Sequence, residues 1–249
     1  MSAIDTQPAP ARTTANDWSK RPVVAELQGV RKIYYKPDGS VLVEALRGVD
    51  LCIPKGQLVA IMGASGSGKS TLMNLLGCLD RPTEGKYLLD GQNAATMDDE
   101  SLSHFRGKKI GFIFQAFNLI SQLTIAENAE VPLFYQGVNP AERERRAKQK
   151  LELVGLGDRM DHRPSELSGG QQQRAAIARA LVTEPVILMA DEPTGNLDSA
   201  TGQAILKTFD DLHAQGMTII MVTHDPAIGK RCQRVVRLKD GLIESDILN

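Results

Sequence analysis

The sequence predicts an α/β fold with a mostly parallel sheet and helices on both of its faces. Apolar runs at residues 58–62, 186–190 and 218–222 alternate with stretches of helical periodicity, an order typical of parallel sheets with crossover helices. The first two runs are apolar throughout and the third is apolar after Thr218, as expected of strands that are buried on both faces. A glycine-rich loop, Gly63–Thr71, joins the first run to a helix, and such a junction is a place where α/β proteins bind phosphate groups.

Two further regions flank this predicted core. Residues 24–35 and 41–53 have the pattern of two strands around an Asp-Gly turn at 38–39, which predicts an antiparallel β layer beside the parallel sheet. Residues 116 to about 166 are more helical, and we expect them to form a helical subdomain. Within it, Asn-Pro-Ala-Glu at 139–142 has the composition of a helix start.

The chain is predicted to form one domain, residues 23–249, whose last strand lies at 234–238. Residues 1–22 contain three prolines and no apolar stretch, so they are predicted to be a disordered tail rather than a secretory signal. No apolar run approaches the roughly 20 residues that span a bilayer. We therefore expect no membrane segment.

Composition narrows the classes of partner and compartment. The net charge is −1, from 29 basic and 30 acidic residues, so no basic field favours nucleic acid as a partner. Cys52, Cys78 and Cys232 are scattered and lack the spacing of a metal site. This cysteine usage indicates a reducing, cytosolic compartment.

Residues 63–71, Gly-Ala-Ser-Gly-Ser-Gly-Lys-Ser-Thr, have the pattern GxxxxGK[ST] of a P-loop. The glycines allow a tight turn in which successive backbone N–H groups point at one anion, and the following helix N-terminus adds positive partial charge. Lys69 is expected to reach the β- and γ-phosphates of a nucleotide, and Ser70 to ligate Mg²⁺. The predicted nucleotide-binding residues of this loop are Gly63, Ala64, Ser65, Gly66, Ser67, Gly68, Lys69, Ser70 and Thr71.

Two carboxylates, Asp191 and Glu192, follow the apolar run that ends at residue 190. Asp191 is predicted to hold Mg²⁺, and Glu192 is the candidate general base for the attacking water. Seen alone, the two residues could be solvated carboxylates at a strand end. The P-loop elsewhere in the chain favours the catalytic interpretation.

A second helix start with the character of an anion site occurs at Leu167–Gln171. The Ser168 hydroxyl and the backbone N–H groups of Gly169 and Gly170 precede an amphipathic helix and could bind an anion. The alternative is an ordinary Ser N-cap with a glycine lead-in, but the Gln-Gln-Gln-Arg that follows makes the segment specific. One chain cannot easily place both loops on one nucleotide, so the two predict a composite site that a second protomer completes.

Together these motifs resemble those of ATP-binding-cassette (ABC) ATPase subunits over roughly residues 24–247. The family's motifs occur in the family's order: Walker A loop Gly63–Thr71, Q-loop Phe114-Gln115, signature segment Leu167–Gln171, Walker B Val186–Asp191 with catalytic glutamate Glu192, D-loop Gly195–Asp198 and switch Thr223-His224-Asp225. The segments at 77–83, 112–115 and 167–174 further resemble the macrolide-exporter (MacB-like) and lipoprotein-release (LolD-like) ATPases. The resemblance implies a RecA-like P-loop NTPase core with an antiparallel β layer and a helical subdomain.

The resemblance also assigns roles to single residues. Gln115 is expected to contact Mg²⁺ or the attacking water and to act as a hinge, the alternative being a polar strand-end residue. His224 is expected to contact the γ-phosphate, the alternative being a structural imidazole. Tyr34, slightly favoured over Tyr35 by spacing, is expected to stack on adenine, unless it simply packs in an edge strand. Asp198 is expected to cap a helix, to line a dimer interface, or both.

The resemblance implies an ATP-hydrolysing subunit of an ABC transport system, which binds ATP and Mg²⁺, forms a homodimer on ATP and drives a separate membrane permease subunit. Such a chain is expected at the cytoplasmic face of the membrane, held there by its partner. Residues 117–120 have an exposed-looking apolar character and are expected to receive a short permease helix; the alternative is that they pack inside the helical subdomain. A different function also fits: a regulatory ATPase that transmits force through a membrane protein without moving solute.

Overall fold

The computed structural model describes residues 18–249, apart from the side chain of Ser19. The predicted disordered tail, residues 1–22, therefore lies mostly outside the described residues. Its end includes one short 3₁₀ turn, Trp18–Lys20. In the described range, no helix combines the length and the apolar character that crossing a membrane requires.

Strands and helices follow one another along the described chain. The strands are β1 (Val23–Tyr35), β2 (Val41–Pro54), β3 (Leu58–Gly63), β4 (Glu84–Leu89), β5 (Gln92–Asn93), β6 (Ile110–Ile113), β7 (Ile187–Asp191), β8 (Thr218–Val222), β9 (Arg234–Lys239) and β10 (Leu242–Leu248). The helices are α1 (Lys69–Leu76), α2 (Asp99–Lys109), α3 (Ile125–Tyr135), α4 (Pro140–Leu153), α5 (Gly169–Leu181), α6 (Ser199–Ala214) and α7 (Pro226–Arg231).

The larger sheet has six strands in the order β10-β9-β3-β8-β7-β6. Every neighbouring pair is parallel except β10 with β9, which confirms the predicted, mostly parallel α/β sheet. The carboxyl ends of β3, β8, β7 and β6 consequently meet at one edge. That edge is where open α/β sheets bind ligands.

Both faces of this sheet are covered, and β3 shows why its sequence is apolar throughout. Val59 and Ile61 pack into a core shared with β1, β2 and α1, whereas Leu58, Ala60 and Met62 pack into a second core with α5 and α6. All five side chains are buried. Alternate residues of a strand point to opposite faces, so a strand covered on both sides has no position for a polar side chain.

The predicted antiparallel layer is confirmed as a second sheet, in the order β2-β1-β4-β5. β1 and β2 are antiparallel, with Tyr34 opposite Val43 and Tyr35 opposite Val41. The predicted turn between them is also present, where the backbone N–H of Gly39 donates to the carbonyl of Lys36 at 2.9 Å. This layer packs on the α1 side of the larger sheet.

The prediction that the last strand lies at 234–238 is wrong. β9 ends at Lys239, and the hairpin partner β10 follows after a two-residue turn, Asp240-Gly241. Both turn residues have positive φ, 50° and 79°, as a type I′ hairpin turn requires. The sequence signal for this hairpin was the Asp-Gly dipeptide itself.

The helical subdomain contains α3 and α4, and α4 begins as predicted, with Asn139 as the N-cap of a helix whose first residue is Pro140. The buried side chain of Asn128 in α3 organises the loop that precedes α3. Its Oδ1 accepts from the backbone N–H of Ile120 at 2.7 Å, and its Nδ2 donates to the carbonyls of Ile120, Leu123 and Thr124. The Asn128 side chain therefore bonds four backbone groups of a segment that contains no strand or helix.

We expect Asn128→Ala to lower the free energy of unfolding by about 2 kcal/mol or more, because it leaves several loop groups without partners. Urea unfolding followed by circular dichroism measures this. Asn139→Ala is the matched control, since it removes a single cap bond to the backbone N–H of Glu142 and should cost about 1 kcal/mol. A smaller loss for Asn128→Ala than for Asn139→Ala would contradict the organising role.

Candidate nucleotide-binding and hydrolysis site

Four predicted site segments lie at the ends of four adjacent strands. The P-loop begins at the end of β3, Thr223-His224 follows β8, Asp191 ends β7 with Glu192 next to it, and Gln115 lies two residues after β6. Because these strands are parallel neighbours, the fold brings together segments that are far apart in the chain. Gly63 and Thr223, for example, are 160 positions apart. All four segments of the candidate site therefore lie at the same edge of the larger sheet.

Close backbone contacts determine the course of the P-loop. A Cβ on Gly63 would lie 2.3 Å from the carbonyl oxygen of Leu238, and one on Gly68 would lie 2.7 Å from that of Ala45. Both glycines also have positive φ, 152° and 102°, which side chains with a Cβ adopt only at a cost. The Lys69 ammonium donates to the carbonyl of Ala64 across the loop at 2.6 Å, a bond that an incoming phosphate can replace.

A cavity of about 430 Å³ opens above the loop. Beside P-loop residues, its wall includes residues that sequence reasoning missed: Val43, Glu44, Ala45, Arg47, Asp240 and Gly241. They come from β2 and from the β9–β10 turn, where the Gly241 N–H donates to the Ser67 carbonyl at 3.1 Å. Only the Asp-Gly turn signal could have pointed to part of this wall, because the rest depends on how the two sheets pack.

Asp191 and Glu192 form an acidic strand end that is partly withdrawn from water. Burial, together with the negative charge of Glu192, raises the pKa of Asp191, while the nearby Lys69 ammonium acts in the opposite direction. A group whose charged form is disfavoured in this way gains from a cation placed beside it. The site therefore favours positive charge at the position where Mg²⁺ is predicted.

Contacts from the residues after β8 orient the Glu192 carboxylate. Oε1 accepts from the backbone N–H of His224 at 3.0 Å and lies 2.6 Å from Nδ1 of the same residue, and Oε2 accepts from Thr223 Oγ1 at 3.2 Å. Glu192 has a positive φ of 43°, a strained conformation that is often found at functional sites. The geometry holds this carboxylate in one orientation, as a general base requires.

The imidazole of His224 is not a buried structural group. Its side chain is 80% exposed, and Nδ1 points to Glu192. With the proton on Nδ1, Nε2 is left to face solvent or a ligand. The alternative of a structural imidazole in the core does not fit this exposure.

Gln115 contacts the D-loop. Its Nε2 donates to Oδ1 of Asn196 at 3.2 Å, while Nδ2 of Asn196 donates to the Gln115 carbonyl at 2.9 Å. Asn196 is a residue that sequence reasoning placed only within the D-loop, and no sequence signal linked it to Gln115. The D-loop residue Asp198 caps α6 by accepting from the Thr201 N–H at 2.9 Å, which confirms its predicted capping role.

Apolar residues after Gln115 are less exposed than predicted. Phe117 is half-buried, and Leu119 packs against the core of the helical subdomain, so the expectation that residues 117–120 form an exposed apolar surface is wrong for these two side chains. Ile120 remains 41% exposed. Arg179 in α5 donates to the carbonyls of Phe117 and Asn118, and these bonds connect the segment to α5.

The signature segment forms the capped start of α5. Ser168 Oγ accepts from the N–H of Gln171, and Gln171 Oε1 accepts from the N–H of Ser168, a capping box. Gly169 faces Leu197, and a Cβ on Gly170 would lie 2.3 Å from Cγ2 of Thr201. None of these signature residues is among the described residues that line the cavity over the P-loop. The two helix starts predicted to bind anions therefore do not share this cavity within one chain.

Tyr34 is closer to the P-loop than Tyr35. The Tyr34 hydroxyl donates to Asp80 at 3.1 Å and also meets the side chain of Thr71. Burial raises the pKa of Tyr34. Tyr34 also pairs across the sheet with Val43, which lines the cavity, whereas Tyr35 points to solvent. These placements agree with the preference for Tyr34.

A P-loop, an acidic pair at the end of another strand of the same sheet and the capped helix start at Ser168 are the features of a P-loop ATPase of the cassette class. The family model described as ABC transporter matches residues 46–195. The chain belongs to this family and is its ATP-binding subunit, an ATPase.

Relatives and solved structures agree with this assignment. The chain is 55% identical to an ABC transporter ATP-binding protein of Thermotoga maritima, over 89% of this chain and 94% of that protein. It is 49% identical to the macrolide export ATP-binding/permease protein MacB of Hyphomonas neptunium, over 90% of this chain but 35% of that protein. The chain thus spans about a third of the MacB relatives.

Among solved structures, a dimeric post-hydrolysis state of the ATP-binding cassette MJ0796 with ADP and Pi is similar, with a TM-score of 0.80 and 43% identity. The match covers 90% of this chain and 98% of that one. The α/β P-loop fold is thereby shown for the chain by comparison as well as by its own topology.

Proposed function

We propose that this ATPase works as a homodimer in which each ATP lies between the P-loop of one protomer and the signature segment of the other. The observation that carries the proposal is the separation of the two anion-binding helix starts within one chain, since Ser168 and Gly170 do not line the cavity that Lys69 lines. The similar MJ0796 cassette was solved as a dimer with ADP and Pi. ATP then joins two protomers, and hydrolysis releases them, because only the γ-phosphate contacts both.

In this arrangement each residue has a defined task. The P-loop residues cradle the phosphates with Lys69 on the β- and γ-phosphates, and Glu192 takes a proton from the attacking water. His224 contacts the γ-phosphate and holds Glu192 in place. Tyr34 stacks on adenine at the edge of the antiparallel layer.

Mg²⁺ fits the oxygen groups on this side of the site: the Ser70 hydroxyl, the Asp191 carboxylate and the Gln115 amide oxygen. Its support is that Asp191, at the end of β7, and the P-loop, after β3, lie at the same edge of the sheet, where burial and then the charge of Glu192 raise the pKa of Asp191. In the described residues, no group of three or more His, Cys, Asp or Glu could hold a metal by itself. These oxygen groups would hold the cation together with the phosphates of a bound nucleotide, and the cation would neutralise charge at the γ-phosphate.

The partner that we propose is a membrane permease, with the ATPase held by it at the cytoplasmic face of the membrane. MacB relatives combine an ATP-binding part and a permease in one protein, whereas the relatives of Thermotoga maritima and Bacillus subtilis, of which this chain covers 94%, are ATP-binding proteins. The similarity to MacB supports export, and we propose export or lipoprotein release of the MacB-like and LolD-like kind as the transport function.

An apolar groove on the helical subdomain is the surface that we propose for the permease. It has a volume of about 320 Å³, and its lining combines the apolar side chains of Ile120, Leu123, Val131, Phe134 and Tyr135 with the charged side chains of Glu127, Glu130 and Arg143. Two side chains at its end, Phe134 and Tyr135, are 62% and 81% exposed and contact each other edge to face. Adjacent exposed aromatic side chains are typical of interaction sites.

We expect Phe134→Glu to lower the fraction of tagged chain that pellets with membranes of its native cells by about tenfold or more. The new carboxylate would be desolvated against an apolar partner surface, and each 1.4 kcal/mol lost is a factor of ten in affinity. Leu42→Glu is the matched control, because Leu42 is 61% exposed but lies on the antiparallel sheet. The variant should keep its thermal stability.

Two results would contradict the proposed docking. Unchanged membrane recovery of folded Phe134→Glu would place the contact elsewhere on the surface. Binding of the wild-type chain to protein-free lipid vesicles would show that it reaches the membrane without a permease.

A further inference from the structure

We propose that Asn196 is a positioning residue for Gln115: it holds the amide nitrogen of Gln115 on the D-loop and leaves the amide oxygen as the group that meets a cation. This inference rests on the proposed Mg²⁺ site and deepens it. The notable feature is that the two amides are bonded reciprocally, side chain to side chain and side chain to backbone.

The reciprocity determines the orientation of both amides. The backbone carbonyl of Gln115 can only accept, so the atom of Asn196 that bonds it at 2.9 Å must be the donor Nδ2. Oδ1 of Asn196 then faces Gln115, and an amide oxygen can only accept. The atom of Gln115 at 3.2 Å from Oδ1 is therefore its nitrogen, Nε2.

This orientation matters because the two ends of an amide have opposite chemistry. The oxygen has lone pairs for a hard cation or for a water hydrogen, while the planar nitrogen is a donor and does not ligate Mg²⁺. A free Gln115 side chain could turn either its oxygen or its nitrogen to the cation. Asn196 binds the nitrogen and so leaves the oxygen available, as the hydrogen-bonded neighbours of metal ligands commonly do.

The backbone around Gln115 is also held by hydrogen bonds, so the orientation of the side-chain amide is the part of the residue that can still change. Arg179 binds the carbonyls of Phe117 and Asn118, and both of these residues have positive φ, 61° and 51°. Asn196 itself binds the Gln115 carbonyl. A loop held at three carbonyls within four residues cannot easily compensate for a misplaced side chain.

Gly195 offers a second, independent way to disturb the same amide. A Cβ at this position would lie 2.6 Å from Nε2 of Gln115 and 3.0 Å from its Cδ. The clash is with the end of a flexible side chain, and φ at Gly195 is not positive. Gly195→Ala should therefore fold normally while moving the Gln115 amide away from Asn196.

The test measures Mn²⁺ binding by electron paramagnetic resonance, at saturating ATP, with the full chain carrying Glu192→Gln to prevent hydrolysis. We expect Asn196→Ala and Gly195→Ala each to weaken Mn²⁺ binding by about tenfold, the lower end for second-sphere partners of metal ligands. In the Gln115→Ala background, adding Asn196→Ala should change the affinity by less than about twofold, because the ligand it positions is gone. Asn139→Ala, which removes an Asn hydrogen bond on α4, should have no effect.

Each other outcome overturns the inference. If Asn196→Ala and Gly195→Ala bind Mn²⁺ normally while Gln115→Ala does not, Gln115 is a ligand that needs no positioning by the D-loop. If the effects of Gln115→Ala and Asn196→Ala multiply in the double variant, Asn196 acts by another route. If Gln115→Ala itself binds Mn²⁺ normally, the proposed role of Gln115 in the metal site fails, and the inference fails with it.

Discussion

Glu192→Gln should lower steady-state ATP hydrolysis by about 10²–10⁴-fold, the usual contribution of a general base, while ATP binding remains. The remaining amide oxygen can still accept from the His224 N–H, which bonds the carboxylate at 3.0 Å, whereas the new NH2 group can only donate to Thr223 Oγ1, from which the carboxylate accepts at 3.2 Å. The phosphate-binding loop is untouched. A loss of rate without a loss of binding is the signature of a missing proton acceptor.

The measurement pairs phosphate release with size-exclusion chromatography in the presence of ATP. Because hydrolysis normally separates the protomers, the variant should accumulate as an ATP-bound dimer. Glu244→Gln, a substitution on exposed β10 that removes an ion pair with Lys239 at 3.4 Å, is the matched control and should turn over normally. Turnover of Glu192→Gln within a few-fold of wild type would assign the base to another group.

The catalytic edge of the sheet could be predicted from the sequence because each of its residues is tied to a strand end. Asp191 and His224 each follow a continuously apolar run, and such runs are parallel strands whose carboxyl ends meet at one edge. The order of the strands was not needed for this step. The roles of these residues remain predictions, and only their common location follows from the fold.

The walls of the site could not be predicted in the same way. Ala45 and Gly241 lie beside the P-loop because the antiparallel sheet and the β9–β10 turn pack against it, and such packing leaves no local pattern in the sequence. The pairing of Gln115 with Asn196 joins residues 81 positions apart. Neither residue is apolar, so no periodicity records the contact.

The exposure of residues 117–120 was also predicted incorrectly, at a segment that a polar side chain from another helix holds in place. Leu119 belongs to an apolar segment outside any helix or strand, a pattern that is equally typical of a docking loop and of a packed one. The bonds from Arg179 to the Phe117 and Asn118 carbonyls decide between the two. Exposed aromatic side chains of the helical subdomain lie instead at Phe134 and Tyr135, on the last turn of α3.

Mixing two inactive variants should restore activity if the active site is shared between protomers. Lys69→Ala removes the phosphate contact of the P-loop. Ser168→Asp is the better partner for it than a substitution of Gly170, where a Cβ would lie 2.3 Å from Thr201. An aspartate keeps the N-cap of α5 but places a negative charge against the γ-phosphate of the other protomer, so each variant alone should be inactive.

In a mixed dimer one site carries both defects and the other carries neither, because each site takes its P-loop from one protomer and its signature segment from the other. An equimolar mixture should recover up to about a quarter of the wild-type hydrolysis, since half of the dimers are mixed and each has one intact site.

Ser168→Asn is the control that separates the effect of the negative charge from the effect of the substitution. Asparagine also caps α5 but is neutral, so the Ser168→Asn homodimer should keep more activity than Ser168→Asp. Tagging the two variants differently allows the mixed dimer to be purified and counted. A purified mixed dimer without hydrolysis or ATP-dependent association would mean that each chain completes its own site. Ser168 and Lys69 would then have to meet within one protomer, although they line different surfaces of it.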